Sequence, residues 1–111
     1  MQIDSRQQDG RVTVVSPRGR LDMAAAPAFR EKVRALVTEG AARLVVDLGD
    51  VTFVDSSGLG AVIGGLRLAR QAGGDLRIAR PADQVKMVLD ITSLVRVLKP
   101  YRTLEEATTG L

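Results

Sequence analysis

Cysteine and histidine are both missing from this sequence of 111 residues. Without cysteine, the chain has no disulfide bond, no thiol redox switch and no cysteine metal site. Without histidine, it lacks the commonest general base, the commonest zinc ligand and every Ser-His-Asp triad. We therefore predict a protein that is not an enzyme, with no catalytic residues, no metal site and no cofactor.

Aromatic residues are also scarce, since the chain has no tryptophan, one tyrosine and two phenylalanines. The net charge is +3, and a basic chain can bind nucleic acid through phosphate contacts. Here, however, the basic residues are scattered without forming a run, and few rings are present to stack on bases. We interpret the charge as a dispersed solvated surface and expect no direct nucleic-acid partner.

Long hydrophobic runs are absent as well. No apolar run approaches the length of about 20 residues that a membrane-spanning helix needs. The first ten residues, MQIDSRQQDG, are polar and predict no signal peptide. Apolar residues make up 45% of the chain, which is enough for a packed core. We expect one domain over residues 1–111, located in the cytoplasm, with no membrane partner.

Strand-like and helix-like segments alternate along the chain. Residues 2–7 and 11–19 are typical of a hairpin about an Asp9-Gly10 turn, with the first strand at the edge of the sheet. The apolar run within residues 42–50 predicts a central strand covered on both faces, followed by a loop from Gly49 to Asp55. Further short strands are predicted at residues 75–79 and 95–98.

Helices are predicted between these strands. In the first, Asp22 can cap, Pro27 lies in the first turn and Gly40 ends the helix. The others are expected at residues 57–71, at 81–91, and after Thr103, which has capping-box spacing to Glu106. Strands separated by single helices pair in parallel through right-handed crossovers. The predicted fold is α/β, a mostly parallel sheet with an antiparallel edge strand and helices packed around it.

The stretch DSSGLGAVIGG, residues 55–65, raises the question of function. Glycine inside a helix costs about 1 kcal/mol relative to alanine, and this helix carries four glycines within eight positions. Asp, Ser and Ser before a helix are preferred N-caps, so capping alone is one explanation. Another is a docking surface: Gly60 and Gly64 lie on one face and let a partner approach, beside a serine that a kinase can reach.

Three other chemistries have sequence motifs that this stretch partly resembles. A serine hydrolase is excluded because the G-x-S-x-G elbow and an activating histidine or lysine are absent. A P-loop is excluded because the Lys-Ser/Thr pair is missing. A dinucleotide site is disfavoured but open: Gly58, Gly60 and Gly64 come near the G-x-G-x-x-G fingerprint with one extra residue, and no acid ends the next strand.

The segment LVVDLGDVTFVDSSGLGAVIGGLRLARQAGG closely resembles the central motif of anti-sigma factor antagonists, bacterial proteins built on the STAS domain. The resemblance extends to GRLDMAAAPAFREKV before it and to DLRIARPADQVKMVLDITSLVRVLKPYRTLEEA after it. It implies a STAS fold and a protein that binds an anti-sigma factor, usually one with a serine kinase fold. That binding frees a sigma factor to engage RNA polymerase.

The resemblance also implies roles for individual residues. The partner kinase phosphorylates the first serine of the pair, here Ser56, and a serine phosphatase removes the phosphate. The remaining residues that the resemblance or the glycine pattern assigns to partner binding are Asp22, Asp55, Ser57, Gly58, Leu59, Gly60 and Gly64. The alternatives are a STAS module in another signalling assembly, such as a stressosome-like scaffold, and a nucleotide-binding module.

Overall fold

The chain begins with a β-hairpin whose first strand lies at the edge of the sheet. The structure is a computed structural model that describes residues 1–8 and 10–111. Strand β1, Gln2–Gln8, pairs antiparallel with β2, Val12–Leu21, as predicted. The predicted turn includes Asp9, which lies outside the described residues, whereas Gly10 has the positive φ of +69° that such turns require.

The other strands extend the sheet mostly in parallel. They are β3 (Arg43–Asp47), β4 (Val51–Val54), β5 (Asp75–Ala79) and β6 (Pro100–Tyr101). The order is β1-β2-β3-β5-β6, with β3, β5 and β6 joined in parallel, and β4 pairs in parallel with the last residues of β2. This arrangement confirms the predicted α/β class with its antiparallel edge strand.

Two predictions about the sheet were wrong. The predicted loop from Gly49 to Asp55 contains β4, because Val51 and Val54 are buried and the end of β2 offers their backbone a partner. The predicted strand at residues 95–98 is absent. There the backbone N–H groups of Val97 and Leu98 donate back to the Leu94 carbonyl, so local turn bonds replace ladder pairing.

Helices connect the strands, and their ends follow capping rules. The bounds are α1 (Ala26–Thr38), α2 (Ser56–Gln71), α3 (Asp83–Ile91) and α4 (Leu104–Thr108). Gly40, with φ of +97°, ends α1 in a Schellman motif, and the Thr103 side chain caps α4 by accepting from the Glu106 N–H. Both ends agree with the sequence prediction.

The helices cover both faces of the sheet unequally. Buried residues of α1, α2 and α3 pack on one face, around Phe29, Val33 and Leu66. The smaller α4 covers the other face, where Ala107 packs against Val14 and Val45. Alternate residues of β2 and β3 therefore point into different cores, which explains the continuous apolar runs of these strands.

An ion pair closes the end of the sheet beside β3. Arg80 donates from Nε and Nη2 to the Asp47 carboxylate, at 2.9 and 2.7 Å, and the Gly49 N–H donates to the same group. Burial alone would raise the pKa of Asp47, but the bonds from Arg80 and Gly49 outweigh it and hold the pKa below its ordinary value.

Asp47 therefore predicts a pH dependence of stability. A carboxylate with a lowered folded pKa stabilises the fold above its unfolded pKa of about 4, and this contribution disappears as pH falls through the folded pKa. Asp47→Asn should lower the free energy of unfolding by about 1–2 kcal/mol at pH 7. On acidification to pH 3, the free energy of unfolding of this variant should fall by less than that of the wild type. Urea unfolding at both pH values tests this, with exposed Asp50→Asn as the control; equal acid sensitivity of all three proteins would contradict it.

Candidate functional site

Asp55 organises the start of α2. It has extended backbone geometry at the N-cap, and its Oδ1 accepts a hydrogen bond of 2.8 Å from the Gly58 N–H. Its Oδ2 accepts a second bond, of 3.1 Å, from the Met23 N–H. One carboxylate thus satisfies a free N–H of the helix and fastens α2 to the segment that follows β2.

The two serines of the motif occupy different environments. Ser56 is the first residue of α2 and is exposed, whereas Ser57 is half-buried. The sequence offers Asp55, Ser56 and Ser57 as candidate caps of α2, and Asp55 is the residue that caps it. The reason is geometric: only the side chain of the last extended residue before the helix is placed to reach the N–H three positions later. Ser56 has no capping role and is exposed in the first turn of α2.

Asp22 lies in the neighbouring segment and shapes it. Its Oδ1 accepts from the N–H groups of Ala24 and Ala25, at 3.1 and 3.2 Å, so it caps the turn before α1. The N-cap position of α1 is Ala25, whose side chain makes no hydrogen bond. Asp22 was expected to cap α1 itself, but it caps the turn that precedes the helix. Because Met23 binds Asp55, this turn and the start of α2 form one continuous surface.

The glycines of α2 divide into packed and open positions. A Cβ on Gly58 would overlap the Leu21 carbonyl, so glycine is required where α2 crosses the end of β2. Gly65 packs against Val33 in the core. Around Gly60 the nearest atom to an added Cβ is Arg30 Nη2 at 3.9 Å, and around Gly64 nothing lies within 4 Å.

Burial divides the predicted contact set into two groups. Leu59 is only 3% exposed and belongs to the core, and Gly58 is buried against backbone. Neither residue offers side-chain surface to a partner; both hold α2 in place. Of the predicted set, those at the surface or half-buried beside it are Asp22, Asp55, Ser56, Ser57, Gly60 and Gly64.

An apolar groove continues this surface between α1 and α2. It has a volume of about 410 Å³, and Gly64 and Leu68 line it from α2 while Pro27 and Arg30 line it from α1. The absence of a side chain on Gly64 keeps the groove open. Glu31 and Arg34, which pair with each other, also line the groove from α1, so its apolar floor has a charged rim.

Sequence reasoning missed two residues that contact Asp55 or Asp22. Met23 is 72% exposed although its backbone is fixed to Asp55, which leaves an apolar side chain in solvent beside α2. Arg20 lies over the Phe53 ring, 4.1 Å from its centre, and its Nε is 3.5 Å from Asp22. No local pattern marks either residue, because their positions depend on the pairing of β2 with β4.

Among residues 1–8 and 10–111, no group of three or more acidic side chains is placed to hold a metal ion. None of the helices there combines the length and the apolar character needed to cross a bilayer.

Comparison with known proteins identifies the family. The STAS domain model matches residues 2–107. The anti-sigma-B factor antagonist of Bacillus subtilis is 31% identical over 96 residues, covering 86% of this chain and 86% of that protein. An anti-sigma factor antagonist from Mycobacterium paratuberculosis superposes with a TM-score of 0.86 at 28% identity, covering 97% of this chain and 91% of that one.

A third relative is SpoIIAA, an anti-sigma factor antagonist whose structure is known in unphosphorylated and phosphorylated forms. Its unphosphorylated form has a TM-score of 0.79 and 25% identity, covering 96% of this chain and 92% of that one. The likeness thus extends over the whole sheet and its helices. The chain belongs to the STAS domain family, in the group of anti-sigma factor antagonists.

Proposed function

We propose that this protein, in its unmodified form, binds an anti-sigma factor with a serine kinase fold and thereby frees a sigma factor. The observation that carries the proposal is the exposed Ser56 at the start of α2, in a frame fixed by Asp55. The docking surface, as we define it, comprises Asp22, Met23, Asp55, Ser56, Ser57, Gly60 and Gly64. It acts by binding and not by catalysis, in the cytoplasm where sigma factors work.

Phosphorylation of Ser56 by the partner kinase is the proposed control. A phosphate there adds a charge of about −1.5 to −2 at pH 7. The start of a helix tolerates that charge, because free N–H groups and the helix dipole favour anions. The docking surface already contains the carboxylates of Asp22 and Asp55. A phosphate on Ser56 therefore makes the surface that a partner contacts more negative. A serine phosphatase reverses it.

The nucleotide-binding alternative is disfavoured by the same geometry. A phosphate-binding helix start presents free N–H groups to its ligand. Here the Gly58 N–H is bonded to the Asp55 carboxylate, whose negative charge repels a phosphate at that point. Gly58 is explained by its contact with Leu21, so the glycines need no nucleotide to account for them.

Phosphate incorporation tests the assignment of the two serines. With the purified partner kinase and ATP, wild-type protein should gain one phosphate, and Ser56→Ala should gain none while still binding the kinase. Ser57→Ala is the matched control and should be phosphorylated like the wild type. Intact-mass and fragment mass spectrometry measure this, and a phosphate located on Ser57 would overturn the assignment.

The identity of the partner needs a separate experiment. Tagged wild-type protein should capture a kinase-fold anti-sigma factor from its native cells, and the purified pair should bind in titration calorimetry. Recovery of other STAS proteins alone, with no anti-sigma factor, would instead support a scaffold in a signalling assembly.

Gly60→Leu tests the docking surface directly. The added side chain enters open space, and leucine favours helix, so thermal stability should stay level or rise. Affinity for the anti-sigma factor should fall at least about tenfold, because the new side chain keeps the partner from the α2 backbone. Gln71→Leu, at the exposed end of the same helix, is the control. If calorimetry showed equal affinity for Gly60→Leu and wild type, α2 would not be part of the docking surface.

A further inference from the structure

Strand β1 forms one edge of the sheet. Within the described part of the chain, β1 pairs with β2 alone and stands at the end of the strand order. Natural proteins usually protect such edges with charged side chains, a proline, a bulge or a covering segment, and β1 has the charged residues Asp4 and Arg6. The sequence QIDSRQQ contains no proline, and its register with β2 runs without interruption from Gln2 to Gln8. The edge is therefore competent to pair with another strand.

Pro17 shows which residues of β1 face outward. It lies opposite Ile3 and has no N–H, so the Ile3–Pro17 pair is of the type that exchanges no hydrogen bonds. Because the two types alternate in an antiparallel ladder, Ile3, Ser5 and Gln7 direct their N–H and C=O groups away from β2. Asp4 and Arg6 direct theirs toward β2.

The charges of β1 are complementary to themselves. When two copies of β1 run antiparallel about a two-fold axis at Ser5, Asp4 lies opposite the partner's Arg6, and Arg6 lies opposite the partner's Asp4. These are the closer, non-hydrogen-bonded pairs of the new ladder, in which cross-strand side chains interact most strongly. Asp4 also lies 3.6 Å from Arg18 in its own chain, a largely exposed contact that contributes little stability.

We propose that β1 is the interface of a symmetric homodimer, in which the two sheets join edge to edge about Ser5. Ile3, Ser5 and Gln7 of each copy exchange backbone hydrogen bonds with the other, and two Asp4–Arg6 pairs set the register. A single strand pair buries less surface than the roughly 1,200 Å² of a standard interface, so the dimer forms only at high concentration. Ser56 lies on α2 and takes no part in it, so this proposal is independent of the proposed function.

Charge reversal tests the register. Sedimentation velocity from about 10 μM to 1 mM, at low salt to limit screening, should show a concentration-dependent dimer of the wild type. Asp4→Arg should raise the dimer Kd at least about tenfold, because both symmetry-related pairs become repulsive. Arg6→Asp should do the same, and the double reversal should return to within about threefold of the wild type. Asp90→Arg makes the same charge change at an exposed residue of α3 and should leave the dimer unchanged.

The proposal would be overturned by a wild type that stays monomeric throughout this range, or by a dimer equally sensitive to Asp4→Arg and Asp90→Arg. Circular dichroism confirms that each variant is folded. Amide hydrogen exchange measured by NMR at low and high protein concentration gives a second readout. The Ser5 amide should gain protection with concentration, whereas the Asp4 and Arg6 amides, already bonded to β2, should be protected at both; an unchanged Ser5 amide would also overturn it.

Discussion

A Gly58→Ala variant should lose about 3 kcal/mol or more of folding free energy and melt roughly 10 °C below the wild type. One methyl group has this effect because it would overlap the carbonyl of Leu21, a backbone atom that no rotamer change can move aside. Either α2 shifts away from β2 or the end of β2 distorts. Both changes disturb Leu59 and Val62, which are buried on the same helix.

Gly64→Ala is the matched control for this prediction, since it makes the same substitution in the same helix. An added Cβ there meets nothing within 4 Å, so only the helix propensity changes. Alanine is favoured over glycine by about 0.5–1 kcal/mol, and the variant should be more stable than the wild type by that amount. Urea and thermal unfolding of both variants measure the contrast. Equal effects of the two substitutions would show that the contact with Leu21 does not constrain the helix.

Ser56→Asp should bind the anti-sigma factor at least about tenfold more weakly than the wild type, a loss of about 1.4 kcal/mol. The aspartate imitates phosphate with less charge, so this is a lower bound for the modified protein. Its carboxylate joins those of Asp55 and Asp22 on the docking surface. It repels acidic groups of the partner, or it is buried in the complex without a counter-charge.

The same substitution should leave the stability of the fold nearly unchanged. Ser56 is exposed in the first turn of α2, where a negative charge is favourable, so Ser56→Asp should melt within a few degrees of the wild type. Thr109→Asp adds the same charge beyond α4, on the other face of the sheet, and should keep full affinity. A much lower melting temperature for Ser56→Asp would mean that the switch acts through folding. Unchanged affinity would mean that Ser56 is not the control point.

The sequence by itself determined the elements that depend on local patterns. The hairpin of β1 and β2, the Schellman end of α1 at Gly40 and the cap of α4 at Thr103 follow from residues within a few positions of one another. Alternation of strands and helices then restricted the topology to a mostly parallel sheet. The DSSGLG motif indicated both the family and the stretch in which the proposed site lies.

Tertiary structure alone decided how the site is built. Asp55, and not Ser57, caps α2, and its second oxygen binds Met23, which is distant in the chain. Gly58 is packed whereas Gly60 and Gly64 are open, although all three look alike in the sequence. Likewise, β4 forms only because the end of β2 offers it a partner. Each of these features depends on contacts between residues far apart in the chain. Local propensity cannot predict them, because it does not specify which distant segment will pack against a given residue.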